Sequence, residues 1–393
     1  MIKKFQTKYS DFYLFIFFTG LATGASLLSI YLLTLKFGKT SFADLVYYLI
    51  FSQIIIALAD FGLKNSYFNQ LKNHKDYNLL YLVLIKVCIS VLLFLVFFLI
   101  FRDKLFSSTF FIVVGSSIFP SFLLSDRGLF SIIGLNNFIF RVVPLVFLPL
   151  IDSLSQFNLF SGSISVLFAL LVIFRSTVRS DFTSLNLKEF KEVFYEVISG
   201  NKYLSLINVV NVLEINLHIL VSKQMFESSS FSMLIVVDRY VNFIKQGVIY
   251  YYEYLFPKIS NLNFVYYQNR IRRITRLFAL ALVMVVIFLY SGYFELSLVH
   301  KLLIIVYGFY PLSILAFNFL PAILFLKYCS DEVNLKIVFI VAVIKLVIFS
   351  VSVWFGVVVV PVALVFAELF FGVLRYSALS RYKQFYLVRY LNV

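Results

Sequence analysis

The sequence has few charged residues and almost no cysteine. Charged side chains make up 13% of its 393 residues, against about 25% in typical soluble domains. The two cysteines, Cys88 and Cys329, fit neither a disulfide framework nor a metal-binding spacing. No strand-like alternation of apolar and polar residues occurs, which excludes a membrane β-barrel. The sequence also lacks a glycine-rich phosphate loop and a Ser/His/Asp or Cys/His grouping, so it predicts no ATPase, no enzyme and no cofactor.

Apolar residues dominate the amino-acid composition. They form 62% of the chain, with 49 Phe and 26 Tyr, which is more than a soluble core of this length could bury. A membrane-spanning helix needs roughly 20 mostly apolar residues. Such runs lie near 12–35, 43–63, 79–101, 106–125, 129–151, 158–174, 203–222, 230–256, 274–293, 302–326, 335–354 and 358–377. The sequence therefore predicts an all-α polytopic membrane protein with about twelve transmembrane helices.

The basic residues indicate the orientation of these helices. The formal charge is +15, but Lys and Arg are scattered between the apolar runs and form no continuous patch, so no nucleic-acid partner is predicted. With a cytoplasmic N-terminus, 23 of the 34 basic residues fall in cytoplasmic segments and 6 in outer loops. Because cytoplasmic loops carry the excess of Lys and Arg, both termini are predicted to be cytoplasmic.

The longest connection divides the chain into halves. Residues 1–175 and 203–393 hold six spans each, which predicts two six-helix lobes around a central cavity. Between them, residues 176–202 form a predicted cytoplasmic linker. Its segment LNLKEFKEVFYEVIS places Leu187, Phe190, Phe194 and Val197 on one face, as in an interfacial amphipathic helix. A linker helix with no role beyond connection is the alternative.

Several charged residues lie deep within predicted spans. Each would cost about 2.5–3.5 kcal/mol at the centre of a lipid-facing helix. They are Arg141, Glu214, Asp238, Arg239, Lys245, Lys345 and Glu368. If all of these side chains faced lipid, their summed free-energy cost would be too high. They are therefore expected to face protein or water. Lys86 lies nearer the cytoplasmic end of its span and is expected to extend its ammonium to the membrane surface.

The deep charges share helical faces with other polar residues. In the eighth span the polar stripe comprises Asp238, Asn242, Lys245 and Glu253, flanked by Arg239 and Gln246. In the seventh span it comprises Asn208, Asn211, Glu214, His218 and Ser222. Shorter stripes occur in the fifth span (Gly134, Asn137, Arg141, Pro144) and the first (Thr19, Thr23, Ser26). Such stripes are typical of helices that line a hydrophilic cavity.

Structural interpretations of the same residues stay open. Asp238 and Arg239 could form ion pairs with neighbouring helices. His218 could be a hydrogen-bonded packing residue, since a single histidine does not define a proton carrier. Lys345 and Glu368 lie in adjacent spans and could neutralise each other.

Two segments carry a resemblance to a known family. The stretch KFGKTSFADLVYYLIFSQIIIALADFGLKNSYFNQL, residues 36–71, resembles the second-span region of Wzx-type polysaccharide flippases, which belong to the multidrug/oligosaccharidyl-lipid/polysaccharide exporter superfamily. The stretch IYYYEYLFPKISNL, residues 249–262, is similar to the end of the eighth span in the same family. The two matches occupy equivalent places in the two halves.

The resemblance implies an O-antigen or capsule flippase. Such a protein moves an undecaprenyl-diphosphate-linked oligosaccharide across the bacterial inner membrane by alternating access, alongside a polymerase and a chain-length regulator of the same pathway. A diphosphate group needs cations, for which Arg141, Arg239, Lys245 and Lys345 are the candidates. Cavity polar groups or ion-coupling sites are expected among Asn211, Glu214, His218, Asp238, Asn242 and Glu368. Asp60 and Gly62 are expected to form a structural or gating corner at the cytoplasmic end of a helix.

Three other functions are weighed against the flippase. An O-antigen polymerase has a similar size, but it would need a catalytic site, which a large outer loop usually supports, and the outer loops here are short. A multidrug or cation exporter of the same superfamily would share the architecture, although a cation-rich cavity suits a cationic drug poorly. A membrane scaffold without transport would not need charges at mid-membrane depth.

Overall fold

The structure is a computed structural model, and it describes almost only helices. The described residues are 2–60, 79–121, 124, 129–176, 186–200, 202–255, 264–291, 297–319 and 331–381. No β-strand occurs among them, which confirms the predicted all-helical class. Several predicted features lie outside these residues, namely Gly62, the basic residues Lys64, Lys72 and Lys75, and the segment 256–262 of the second family-like stretch.

The chain divides into two compact units, Met1–Val212 and Leu213–Val393, and the division falls within one helix. The helices described in the first unit are α1 (Ile2–Phe37), α2 (Lys39–Asp60), α3 (Leu79–Phe101), α4 (Lys104–Ser107), α5 (Phe110–Ile118), α6 (Phe130–Val146), α7 (Leu154–Ser176), α8 (Leu187–Gly200) and the first part of α9 (Lys202–Met225). Gly38, between α1 and α2, has a φ of 85°, a conformation that glycine adopts without steric cost.

The second unit begins within α9. Its remaining helices are α10 (Ser228–Leu255), α11 (Phe264–Tyr290), α12 (Leu298–Ser313), α13 (Asp331–Ser352) and α14 (Val359–Arg381). A π-helical turn, Ile314–Asn318, continues α12, and Pro311 lies in the turn before it. Proline has no N–H, so it cannot donate to the carbonyl of Tyr307 four residues earlier.

Apolar helices of membrane-spanning length identify a membrane protein. Among the described residues, eight segments are long and apolar enough to cross a bilayer. They are Phe17–Phe37, Lys39–Asp60, Leu80–Phe101, Leu154–Arg175, Ser205–Met225, Leu298–Asn318, Glu332–Val351 and Val359–Ser380. Helices also occupy the other four predicted positions, as α4 with α5, α6, α10 and α11. The total of twelve spans and the arrangement of the lobes stay predictions.

Small residues bring helices of the first unit close together. A Cβ atom on Gly162 of α7 would lie 2.6 Å from the backbone nitrogen of Ile112 in α5. A Cβ atom on Gly115 of α5 would lie 2.6 Å from Ser165 Oγ of α7. Close backbone approach through small residues is typical of helix pairs in membranes, where van der Waals packing drives association.

The amphipathic helix predicted in the linker is present as α8, and Tyr81 of α3 holds its start. The Tyr81 hydroxyl accepts a hydrogen bond from the Asn186 N–H at 2.6 Å and lies 3.0 Å from Glu189 Oε2. Val193 is buried, whereas Leu187 is 71% exposed. The helix therefore packs one face on the first unit and leaves part of its apolar surface uncovered.

Candidate functional site

A buried ion cluster joins three helices of the second unit. Lys345 of α13 has no exposed surface, and its ammonium donates to the Glu214 carboxylate of α9 and, at 3.2 Å, to Glu368 Oε1 of α14. Both carboxylates are buried as well. An isolated buried charge is strongly unfavourable, whereas opposite charges with good geometry compensate each other. The cluster therefore explains how these three residues are accommodated within apolar helices.

Tyr310 of α12 extends the cluster to α10. Its hydroxyl lies 3.4 Å from Glu368 Oε1, to which it donates, and it accepts a hydrogen bond from Lys245 Nζ at 3.0 Å. The Lys245 ammonium also lies 4.8 Å from the centroid of the Tyr310 ring, within the range of a cation–π interaction. Lys245 and Tyr310 are both buried. Hydrogen bonds thus connect α9, α13, α14, α12 and α10 without interruption.

The π-helical turn supplies a second branch. Asn318, its last residue, donates from Nδ2 to Glu368 Oε2 at 2.8 Å and accepts from Arg375 Nη1 at 2.8 Å. Arg375 lies two turns beyond Glu368 on α14, and its guanidinium lies 3.7 Å from the centroid of the Phe371 ring. Because π-helical turns reposition side chains, this turn is what brings Asn318 between the two residues of α14.

A second buried pair lies beside this cluster. His218 Nε2 of α9 is 2.9 Å from Asp238 Oδ1 of α10, and Asn242 donates to Asp238 Oδ2 at 2.7 Å. Arg239 is half-buried, with Nε 3.9 Å from Asp238 Oδ2. The His218 ring also contacts the Phe349 ring, with centroids 6.0 Å apart. His218 is therefore a hydrogen-bonded residue of the packed core, and Asp238 has cationic and polar neighbours within the same unit.

Several residues of the polar stripes in the seventh and eighth spans contact other residues of the second unit. Glu214 and His218, one turn apart on α9, contact Lys345 and Asp238 respectively. The structure does not describe the side chains of Gln246 and Glu253. Asn211 is half-buried in the part of α9 that belongs to the first unit. These contacts account for Glu214, His218 and Asp238 only, since Ser222 Oγ has no partner among the described residues, and the predicted central cavity stays a prediction.

Arg141 of α6 lies in the first unit against α1. Its Nη1 donates to the hydroxyl of Ser26, which in turn donates to the Ala22 carbonyl at 3.1 Å. Two turns earlier on α6, Gly134 lets α1 approach closely, since a Cβ there would lie 3.1 Å from the Phe15 carbonyl oxygen. Arg141 is half-buried, so its guanidinium is positioned by a hydroxyl while part of the side chain stays accessible.

Asp60, at the end of α2, pairs with Lys86 of α3. Lys86 Nζ lies 2.8 Å from Asp60 Oδ1, and Lys86 is only 3% exposed. The nearby carboxylate therefore binds the Lys86 ammonium at the end of α2, and the extension of Lys86 to the membrane surface stays a prediction. Gly62, the other residue of the predicted corner, lies outside the described residues.

Three residues of these networks were not predicted: Tyr310, Asn318 and Arg375. A signal existed for one of them. Arg375 follows Glu368 by seven residues, which places both on one face of α14.

No model of a known protein family matches the sequence, and no curated protein matches it either. Among the described residues, no group of three or more His, Cys, Asp or Glu side chains could hold a metal ion. The chemistry of the site therefore has to be argued from cations and hydrogen-bonding groups inside apolar helices.

Proposed function

We propose that the protein is a Wzx-type flippase, which moves an undecaprenyl-diphosphate-linked oligosaccharide across the bacterial inner membrane by alternating access. The observation that carries the proposal is that both units hold a half-buried arginine at the middle of an apolar helix, Arg141 and Arg239. A guanidinium binds phosphate oxygens through two parallel hydrogen bonds. Each of these arginines therefore suits a phosphate group of the substrate, and each would be costly in a helix that only packs against lipid.

The buried networks narrow the choice of substrate-binding cations. Lys345 and Lys245 are almost fully buried, and their ammonium groups bind side chains of the second unit. Arg141 and Arg239 keep accessible surface. We therefore assign the diphosphate to Arg141 first and Arg239 second, and give Lys345 and Lys245 the role of holding the second unit together. Glu214 and Glu368 then serve as their counter-ions.

The wider setting of the proposal follows from the family resemblance. The termini would be cytoplasmic, and the sugar units would be those of O-antigen or capsule, used in lipopolysaccharide or capsule biosynthesis. A polymerase and a chain-length regulator would act on the flipped substrate. Energy would come from an ion gradient or from the gradient of the lipid-linked substrate.

The test measures translocation of repeat units, normalised to the amount of protein in the membrane, for alanine and lysine variants at 141 and 239. At 4 Å, a unit charge pair is worth about 4 kcal/mol at an effective dielectric constant near 20. Desolvation offsets much of this, so each Arg→Ala change should cost about 1–3 kcal/mol of substrate interaction. Arg141→Lys should retain part of the activity, because it keeps the charge but loses the bidentate geometry.

The control is Arg175→Ala, which removes an exposed arginine at the end of α7 and should leave translocation unchanged. Normal translocation by the Arg141→Ala and Arg239→Ala variants at normal abundance would remove these residues from the substrate path. In a strain that lacks the gene, repeat units should accumulate on the cytoplasmic leaflet. Units that are flipped but not polymerised would identify a polymerase instead, and drug sensitivity with normal flipping would identify an exporter.

A further inference from the structure

The hydrogen bonds of the buried pair in the second unit engage only one ring nitrogen of His218 among the described residues. Asp238 accepts hydrogen bonds on both oxygens, from His218 Nε2 at 2.9 Å and from Asn242 Nδ2 at 2.7 Å. An ionised carboxylate only accepts, so Nε2 of His218 donates in this hydrogen bond. The other ring nitrogen, Nδ1, accepts a hydrogen bond in the neutral ring and donates one in the imidazolium. Because His218 is 3% exposed, bulk solvent does not reach this atom.

Four polar atoms around the pair have no hydrogen-bond partner among the described residues. They are His218 Nδ1, Ser222 Oγ, Tyr307 Oη and Arg239 Nε. Ser222 follows His218 by one turn of α9 and is 1% exposed, and the rings of His218 and Tyr307 have centroids 6.4 Å apart. More than nine in ten buried polar groups in proteins are satisfied, and each exception costs about 1–3 kcal/mol. These exceptions on His218, on its ring neighbour Tyr307, on Ser222 one turn away and on Arg239 beside Asp238 point to a bound ligand in this part of the second unit.

The hydrogen-bonding character of these atoms selects the ligand. Arg239 Nε needs an acceptor, the two hydroxyls can donate or accept, and His218 Nδ1 donates or accepts according to whether it carries a proton. A halide ion only accepts, so it serves Nδ1 only when that nitrogen is protonated. A metal cation cannot accept from Arg239, and the guanidinium would repel it. Water both donates and accepts, and buried water typically makes about 3 hydrogen bonds to such groups.

We propose that ordered water binds inside the second unit, between His218, Ser222 and Tyr307. The water binds the His218 ring at Nδ1, as Asp238 binds it at Nε2. It also gives this histidine contact with a molecule that exchanges protons. The inference does not depend on the transported substrate.

Radiolytic hydroxyl-radical footprinting of the full-length protein in lipid tests the proposal, since radicals formed from bound water label the side chains that contact it. Tyr310 is an internal control: it lies one turn from Tyr307 on α12, it is also buried, and its hydroxyl is fully engaged by Lys245 and Glu368. We expect Tyr307 and His218 to be labelled several-fold faster than Tyr310. Equally slow labelling of Tyr307 and Tyr310 would overturn the proposal. Equally fast labelling of both residues would also overturn it, because that result would indicate general opening of the second unit.

Two further arms identify the ligand. Replacing chloride with gluconate should leave the labelling rate of His218 unchanged. A several-fold loss of labelling would show that an anion binds beside His218, and it would overturn the water site. The chain has three histidines, so ¹⁵N-histidine spectra are simple, and the His218→Gln variant assigns the signal. We expect both ring nitrogens of His218 to be hydrogen-bonded, and Nδ1 to receive polarisation from water. A ring nitrogen without a hydrogen bond would contradict the proposal.

Discussion

Lys345 shows how a single residue can decide whether a membrane core is stable. Its ammonium has no exposed surface and two carboxylate partners, Glu214 and Glu368. We expect Lys345→Met to lower the free energy of unfolding by about 3–5 kcal/mol, because it leaves buried carboxylates without their counter-ion. Thermal unfolding of the purified protein measures this change.

Two comparisons separate the buried charge from a general effect of substitution in α13. Lys336→Met removes an exposed ammonium from the same helix, where it pairs with Glu332, and should not change the unfolding temperature measurably. The double variant with Glu214→Gln and Lys345→Met should be more stable than Lys345→Met alone, since one of the two orphaned carboxylates is then neutral. Equal stability of the single and double variants would show that Glu214 is not the partner that matters.

The residue scale is also where sequence-based prediction reached its limit. The cost of a charge in lipid predicted that the deep charges face protein or water. The contact between Lys345 and Glu368 was one of the structural interpretations that the sequence left open. The bond from Lys345 to Glu214 spans 131 positions, and no local pattern relates the two residues. Tyr310 and Asn318 were missed because a tyrosine and an asparagine in an apolar run carry no charge that demands a partner.

At the scale of elements, Gly372 sets the distance between α14 and the π-helical turn. A Cβ atom there would approach the Phe317 carbonyl oxygen more closely than real side chains do. Gly372→Ala should therefore push α14 away and weaken the bridge that Asn318 makes between Glu368 and Arg375. We expect a loss of about 1–3 kcal/mol in the free energy of unfolding, as for other overpacking changes.

Gly24 on α1 is the matched control for this prediction. It is also a helical glycine in an apolar helix, but a Cβ atom there would meet nothing within 4 Å. Gly24→Ala should be neutral or slightly stabilising, because alanine favours helix more than glycine does. If both alanine variants unfolded at the same temperature as the unmodified protein, the close contact at Gly372 would have no energetic weight.

The attachment of α8 is a second prediction at this scale. Tyr81→Phe removes the hydroxyl that binds Asn186 and Glu189 but keeps the ring that packs on Phe190. We expect the backbone amides of the first turn of α8 to exchange hydrogen for deuterium several-fold faster, with little change in α3. Tyr31→Phe, at an exposed position on α1, should have no effect on α8. Unchanged exchange in the Tyr81 variant would mean that packing alone holds the helix.

Helix positions were the part of the fold that the sequence predicted best. Run length and hydropathy determine where an apolar chain forms helices, and a helix was found at each of the twelve predicted runs. The interruption of α12 by a π-helical turn was not predicted, since its segment ILAFN reads like any other part of a span. Such a turn depends on the helices packed around it, here α14 with Gly372.

At the scale of the whole molecule, the basic residues predict the topology. Lys39 should face outward, and Lys72 should face the cytoplasm. Single cysteines at 39 and 72, in a background without Cys88 and Cys329, can be labelled with an impermeant reagent on intact cells. We expect only position 39 to react, and both positions to react once the membrane is opened. Labelling at 72 but not at 39 in intact cells would place both termini on the outer side.

The buried contact between Glu214 and Lys345 also constrains how the protein is made. A ribosome completes Glu214 long before it reaches Lys345, because the two are 131 residues apart. During that interval the carboxylate in α9 has no counter-ion from α13, and it must remain near water or other polar groups until the later helices are inserted. The second unit therefore cannot mature helix by helix. Its final packing awaits α13, which begins at Asp331, and a nascent protein released before that helix would carry an unpaired acid.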